Sequence, residues 1–246
     1  MKSVILCEGS TDFILLQYYM REANGWIFKS NNVINIKGVK ARECIMTKDS
    51  SILSIIGCGG CNRIIPALSY IFEFNSISAI GEAFDNVIII TDRDEVTTEQ
   101  EFCNDVIKQL KEYGDELEHN IKNNQWISYM YNNGYGDVQK AKLLLLIIPF
   151  EDTGAMETFL LKAIAADDEY DKIIIEKCNK FVEKIDDEKR YLKKRRYITK
   201  AKFDVFFSVR TSAQQFNERR EILKNVQWEK YTLIQKSFAK LGEIDK

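Results

Sequence analysis

The chain has 246 residues, with 35 Lys and Arg against 37 Asp and Glu, one His, and 45% hydrophobic residues. That size and balance suit one sizeable folded domain with an elaboration, or two small domains, and exclude a disordered polyelectrolyte. No run of about 18 apolar residues occurs, and the apolar stretch in MKSVILCEGS is too short for a secretory signal, so a cytoplasmic protein with no membrane contact is expected.

The first strand is expected over Ser3–Cys7, ending at Glu8-Gly9; a helix follows, capped by Ser10 or Thr11, with Phe13, Leu16, Tyr19 and Met20 on one face. Val33–Ile36 and Ile52–Ile56 are short apolar runs separated by the polar stretch Lys37–Ser51. The second run leads into Gly57-Cys58-Gly59-Gly60 and a helical pattern through Ile64, Leu68 and Phe72. Val87–Ile90 is continuously apolar, as a strand buried on both faces requires, and empties into Thr91-Asp92-Arg93-Asp94. Residues 97–122 are expected to be helical, Lys142–Pro149 a buried strand, and Ala155–Ala166 a helix. The alternation predicts an α/β fold with a mostly parallel central sheet flanked by helices. Residues 1–166 would form that domain, with a helical insertion over about 96–140, and residues 167–246 a mainly helical C-terminal extension packed on it.

The six cysteines, Cys7, Cys44, Cys58, Cys61, Cys103 and Cys178, show no disulfide framework. Cys58 and Cys61 form a lone CxxC, which reads as a Gly-rich turn rather than half a zinc site. His119 is the one histidine. A multi-His metal site is therefore excluded, and a His-based nucleophilic apparatus has no base to spare, so catalysis would rest on carboxylates or lysines.

Glu8 and Asp92 stand where buried strands end, the place where functional groups collect in an open parallel sheet. Asp92 and Asp94, two apart, share one face of an extended segment, and Asp12 lies one helical turn beyond Glu8. Four acids gathered there repel one another unless a hard cation neutralises them.

The segments VILCEGSTDF (4–13), IIGCGGCNRI (55–64) and VIIITDRDE (87–95), in that order, resemble the Toprim domain shared by topoisomerases, bacterial primases and OLD-type nucleases. The resemblance spans about residues 1–165 and is nearest the OLD-type nucleases of phage-defence systems. It implies a Toprim-like fold and an endonuclease that hydrolyses phosphodiester bonds in DNA or RNA, tRNA included, with two Mg²⁺ or Mn²⁺ ions. Glu8 would act as acid/base or ligand, Asp92 and Asp94 as metal ligands, and Asp12 as the second acid typical of the OLD branch. A further acid after a later strand is implied, for which Glu157 and Asp152 are candidates. A late lysine is implied too, with Lys200 or Lys202 as candidates. Gly9, Gly59 and Gly60 would shape the turns around the site.

The tract KRYLKKRRYITKAK (189–202) carries eight cations and no acid, after a segment Glu151–Glu188 with twelve acids and five lysines. Lys193, Lys194, Arg195 and Arg196 are its candidates for phosphate contact. The chain has no G-x-x-x-x-G-K-[ST] loop, so the ABC-type ATPase that accompanies such defence nucleases would be a separate subunit. Self-association is compatible with this reading. The competing reading is a catalytically silent Toprim-like subunit that binds nucleic acid or protein. The stripe Trp228, Tyr231, Ile234, Phe238 and Leu241 at helical spacing reads as core or interface.

Overall fold

In a computed structural model, residues 1–113, 116–117, 120–212 and 219–245 are described; His119 lies outside them. Eight strands form one sheet in the order β2-β3-β4-β1-β5-β8-β7-β6. Strands β4 (Ser51–Gly57), β1 (Lys2–Cys7), β5 (Asn86–Asp92) and β8 (Val138–Ile148) run parallel at its centre. The hairpin β2 (Ile27–Ile36) and β3 (Val39–Lys48) extends one side antiparallel, and β7 (Trp126–Asn132) with β6 (Glu116–Leu117) extends the other.

The centre is buried on both faces, which explains why its strands carry uninterrupted apolar runs. Residues alternate between two cores. Ile5, Ile88, Ile90, Leu144 and Leu146 face helices α1 (Ser10–Asn24) and α4 (Met156–Asp167). Val4, Leu6, Val87, Ile89, Leu143 and Leu145 face α2 (Ile64–Ile77) and α3 (Thr98–Glu112). Parallel neighbours need crossovers, and α2 and α3 lie in them.

Two expectations are corrected. The polar stretch 37–51 contains a full strand, β3, of which only Ala41, Cys44 and Met46 are buried. A strand with so few buried positions lacks the continuous apolar signature. The insertion over 96–140 is not all helical: α3 stops at Glu112, and β7 follows as an antiparallel partner of β8, with Ile127, Tyr129 and Tyr131 pointing into the core.

The C-terminal third is helical: α5 (Glu169–Ile185), α6 (Arg195–Arg210), α7 (Arg219–Asn225) and α8 (Thr232–Phe238). It is not a separate body, because Phe203, Phe206, Phe207, Trp228 and Phe238, all fully buried, pack into the same core as Leu15 and Leu16 of α1. Trp228, Ile234, Phe238 and Leu241 of the aromatic stripe are therefore core. No helix among the described residues is long and apolar enough to cross a membrane.

Candidate active site

Each central strand delivers functional groups at its carboxyl end. β1 runs into Glu8 and Gly9, β4 into Gly59 and Gly60, and β5 into Asp92 and Asp94, while α4 beyond β8 holds Glu157 in its first turn. These residues line one cleft of about 980 Å³, whose other side is formed by Lys194, Arg195, Arg196, Thr199 and Lys200 around the start of α6.

The backbone is shaped before any side chain acts. The amides of Gly59 and Gly60 both donate to the Glu8 carbonyl at 2.9 Å, which brings the β4 exit against the β1 exit. Gly59 has φ +84° and Gly60 φ +149°, conformations that residues with a Cβ rarely adopt. Gly9 begins α1 in an extended conformation; its N–H donates to Asp12 Oδ2 at 2.8 Å. Ser10 and Thr11 are not the cap, because the helix starts one residue earlier than their side chains could serve. Thr11 instead donates to Glu157 Oε1 at 2.9 Å, joining α1 to α4.

Arg93, buried between the two acids of Asp92-Arg93-Asp94, positions the β5 exit. Its Nε donates to the Pro149 carbonyl at 2.8 Å and its guanidinium pairs with Glu99 at 2.7 Å. Its backbone bridges Gly154 and Ile148 on the β8 exit. Arg195 reaches across from α6 to the Asp94 carbonyl at 3.1 Å and to Glu95 at 3.3 Å.

The acids are held under electrostatic stress. Burial, together with the charges of Asp12 and Asp94, raises the Glu8 carboxyl to about 7, although Thr91 donates to its Oε2 at 3.4 Å. Burial raises Asp12 to about 6; the Gly9 N–H and the Lys200 charge oppose the rise, while Glu157 adds to it. Burial and the charges of Asp12, Glu8, Glu157 and Asp94 hold Asp92 well above the usual carboxylate range. Desolvation and like charge thus act in the same direction.

Asp12 Oδ1 and Asp92 Oδ1 are buried with no hydrogen-bond partner. A carboxylate oxygen left so is costly unless something completes it. Among the described residues, no three Asp, Glu, Cys or His side chains stand at metal-ligating spacing as they are. The donor set is nonetheless all oxygen, without thiolate or imidazole, and two of its oxygens lack a partner. Such a set fits a hard divalent cation such as Mg²⁺ or Mn²⁺ better than zinc.

Glu8, Asp12, Asp92, Asp94 and Glu157 thus come together, as do Lys194, Arg195, Arg196 and Lys200, with Gly9, Gly59 and Gly60 among the lining residues. Three candidates do not. Asp152 is exposed on the loop before α4 and pairs with Lys162 at 2.7 Å. Lys202 points the other way along α6 and pairs with Glu183 of α5. Lys193 is exposed one residue before the part of the tract that lines the cleft. Sequence reasoning missed Thr11, Thr91 and Arg93. For Arg93 the available signal was its place between two acids at a strand exit, where a buried cation is needed.

Residues 2–238 match the family described as "Protein of unknown function (DUF3226)". The chain belongs to this family. Among solved structures, the chain is similar to the hypothetical protein PH0156 from Pyrococcus horikoshii OT3, with 18% identity and a TM-score of 0.52 over 99% of this chain and 91% of that one. At that identity the likeness is one of fold. A glyoxalase family protein from Enterococcus faecalis matches 57% of this chain and 91% of its own, with 12% identity and a TM-score of 0.20. No curated protein matches.

Proposed function

We propose that this DUF3226 protein is a Toprim-type nuclease that hydrolyses phosphodiester bonds in nucleic acid with divalent cations. The observation that carries the reading is the two-sided cleft: five converging acids, two with orphaned buried oxygens, face four cations from one helix start. Glu8, Asp12, Asp92, Asp94 and Glu157 would hold Mg²⁺ or Mn²⁺, which when bound supplies Lewis-acid activation of water and stabilisation of the leaving oxygen.

The chain's own groups account for the rest. Lys194, Arg195 and Arg196 sit at the N-terminal end of α6, where side-chain charge and the helix dipole both favour a phosphate. Lys200, one turn further on, is the cation whose charge reaches Asp12 and is suited to the charge developing on a phosphoryl oxygen. Glu8, among the acids at the β1 exit, is placed to hold a cation or to pass a proton. In the overall step a water oxygen bonds to phosphorus, a P–O ester bond breaks, and the released oxygen takes the proton.

The test is incubation of purified protein with Mg²⁺ or Mn²⁺ and mixed single- and double-stranded DNA and RNA, alongside Glu8→Ala and Asp92→Ala. Cleavage by the wild type that falls at least a hundredfold in both variants is expected. Equal cleavage by all three proteins would sink the reading, and binding without cleavage would favour the silent binding subunit. The separate ABC-type ATPase and the defence role belong to this proposal and stand or fall with it.

A further inference from the structure

A second cavity, about 520 Å³, lies on the other side of the β5 exit, between the start of α2 and a face of α3. Asp92 and Asp94 line both cavities, and the buried unpartnered Oδ1 belongs to Asp92. The two cavities therefore meet at the acids. Their outer parts carry opposite charge. The α6 side presents Lys194, Arg195, Arg196 and Lys200. The α3 side presents Glu95, Glu101 and Asp105, with Lys108 as the one cation among its described lining residues.

That asymmetry constrains a polyanion. Nucleic acid carries a charge at every nucleotide, so a strand crossing the site would set its next phosphate against an excess of acids, Glu95, Glu101 and Asp105, where Arg195 pairs with Glu95 and Lys108 is the one cation of the described lining. An uncharged planar group meets no such barrier. Ile65, Pro66 and Phe102 give this groove an apolar wall, Asn62 offers both a donor and an acceptor, and the volume lies in the range of small-ligand pockets. Aromatic and apolar walls with a few polar groups are how proteins hold a single unstacked base.

We infer that the α2–α3 groove receives the base of a terminal nucleotide, so that the protein trims chain ends one nucleotide at a time instead of cutting within a strand. The inference rests on the phosphodiesterase reading above and departs from the endonuclease expectation. The strand's remaining phosphates lie along α6, and the scissile phosphate lies over the acids. Water adds its oxygen to that phosphorus, the P–O bond to the shortened strand breaks, and the oxygen of that strand takes the proton. A mononucleotide is left in the groove.

Two measurements on the full chain test this. The first compares adenosine 5′-monophosphate with ribose 5-phosphate by calorimetry in Mn²⁺. The nucleotide is expected to bind about tenfold more tightly, and Phe102→Ala to abolish the difference. Equal affinities in the wild type overturn the inference whether or not the protein is a nuclease. The second compares linear and circular single-stranded oligonucleotides of one sequence. Linear substrate is expected to yield mononucleotides as first products, and circular substrate to be cut at least tenfold more slowly. Glu101→Lys with Asp105→Lys, both exposed on α3, is expected to raise cutting of the circle at least fivefold. Equal cutting of line and circle by the wild type overturns the inference and leaves the nuclease reading standing, whereas no hydrolysis of either removes both.

Discussion

Replacing Glu8 with Gln should make the metal-free protein more stable at pH 8, the reverse of what loss of a structural residue does. Burial and the neighbouring acids raise the Glu8 carboxyl from 4.5 to about 7. A rise of that size corresponds to about 3 kcal/mol. The sign follows from proton binding: the folded state holds this proton more tightly than the unfolded chain does. The associated stability is fully present below about pH 4.5 and is lost as pH rises through about 7. At pH 8 the wild type must ionise Glu8 against that penalty, and Gln, of nearly the same shape, need not. Urea denaturation at pH 4.5 and pH 8 should therefore find wild type and variant equal at the lower pH and the variant ahead by about 2–3 kcal/mol at the higher. Adding Mn²⁺ should reverse the order at pH 8, because a cation stabilises the ionised wild-type set and finds one ligand fewer in the variant. A Glu8→Gln protein that is less stable than wild type at pH 8 without metal, or that gains as much from Mn²⁺, would refute the reasoning.

Other perturbations separate the parts of the site. Arg93→Ala leaves Glu99 and the Pro149 carbonyl without their buried partner and should cost about 3 kcal/mol in denaturation; a cost below about 1 kcal/mol would show that the β5 exit is not held there. Alanine at Lys194, Arg195 and Arg196 together should lower the slope of log affinity against log salt for nucleic acid by roughly 2–3, whereas Lys193→Ala alone should leave it unchanged. Phe207→Ala, at a fully buried position against Phe203, Phe206 and Trp228, should cost about 3–5 kcal/mol in a single cooperative transition. Two separate transitions would mean that the C-terminal helices fold as their own unit.

The acids were legible because their placement is local. Glu8, Asp92 and Asp94 follow strands whose apolar runs mark burial on both faces, and a strand end in an open sheet leads to the functional edge whatever the rest of the chain does. Asp12 was readable as either a helix-start acid or a site acid, and it is both: Oδ2 caps the Gly9 amide while Oδ1 is left without a partner beside the cleft. The half-exposed strands were not legible. β3 buries only three of its ten residues and β7 every second one, patterns whose meaning depends on a neighbour the sequence does not name. Arg93 was legible only as a cation between two acids, since its carbonyl partner on Pro149 lies 56 residues away.

The choice between Lys200 and Lys202 turns on which neighbour each side of α6 meets. Phe203 and Phe207 are four apart and fully buried, so they mark the face of α6 that turns toward the protein. Stepping back from them by three or four residues along that face gives Lys200, Thr199 and Arg196, all of which line the cleft. Lys202, four residues before the equally buried Phe206, lies on the side of α6 that meets α5, where it pairs with Glu183. The same stripe that buries the helix in the core thus becomes, one and two turns earlier, the cationic wall opposite the acids. Because the aromatic half anchors the basic half, the cations are presented on a rigid element rather than on a loop. A substitution that loosens the aromatic half, such as Phe203→Ala, should therefore weaken phosphate binding through Arg196 and Lys200 without touching either one.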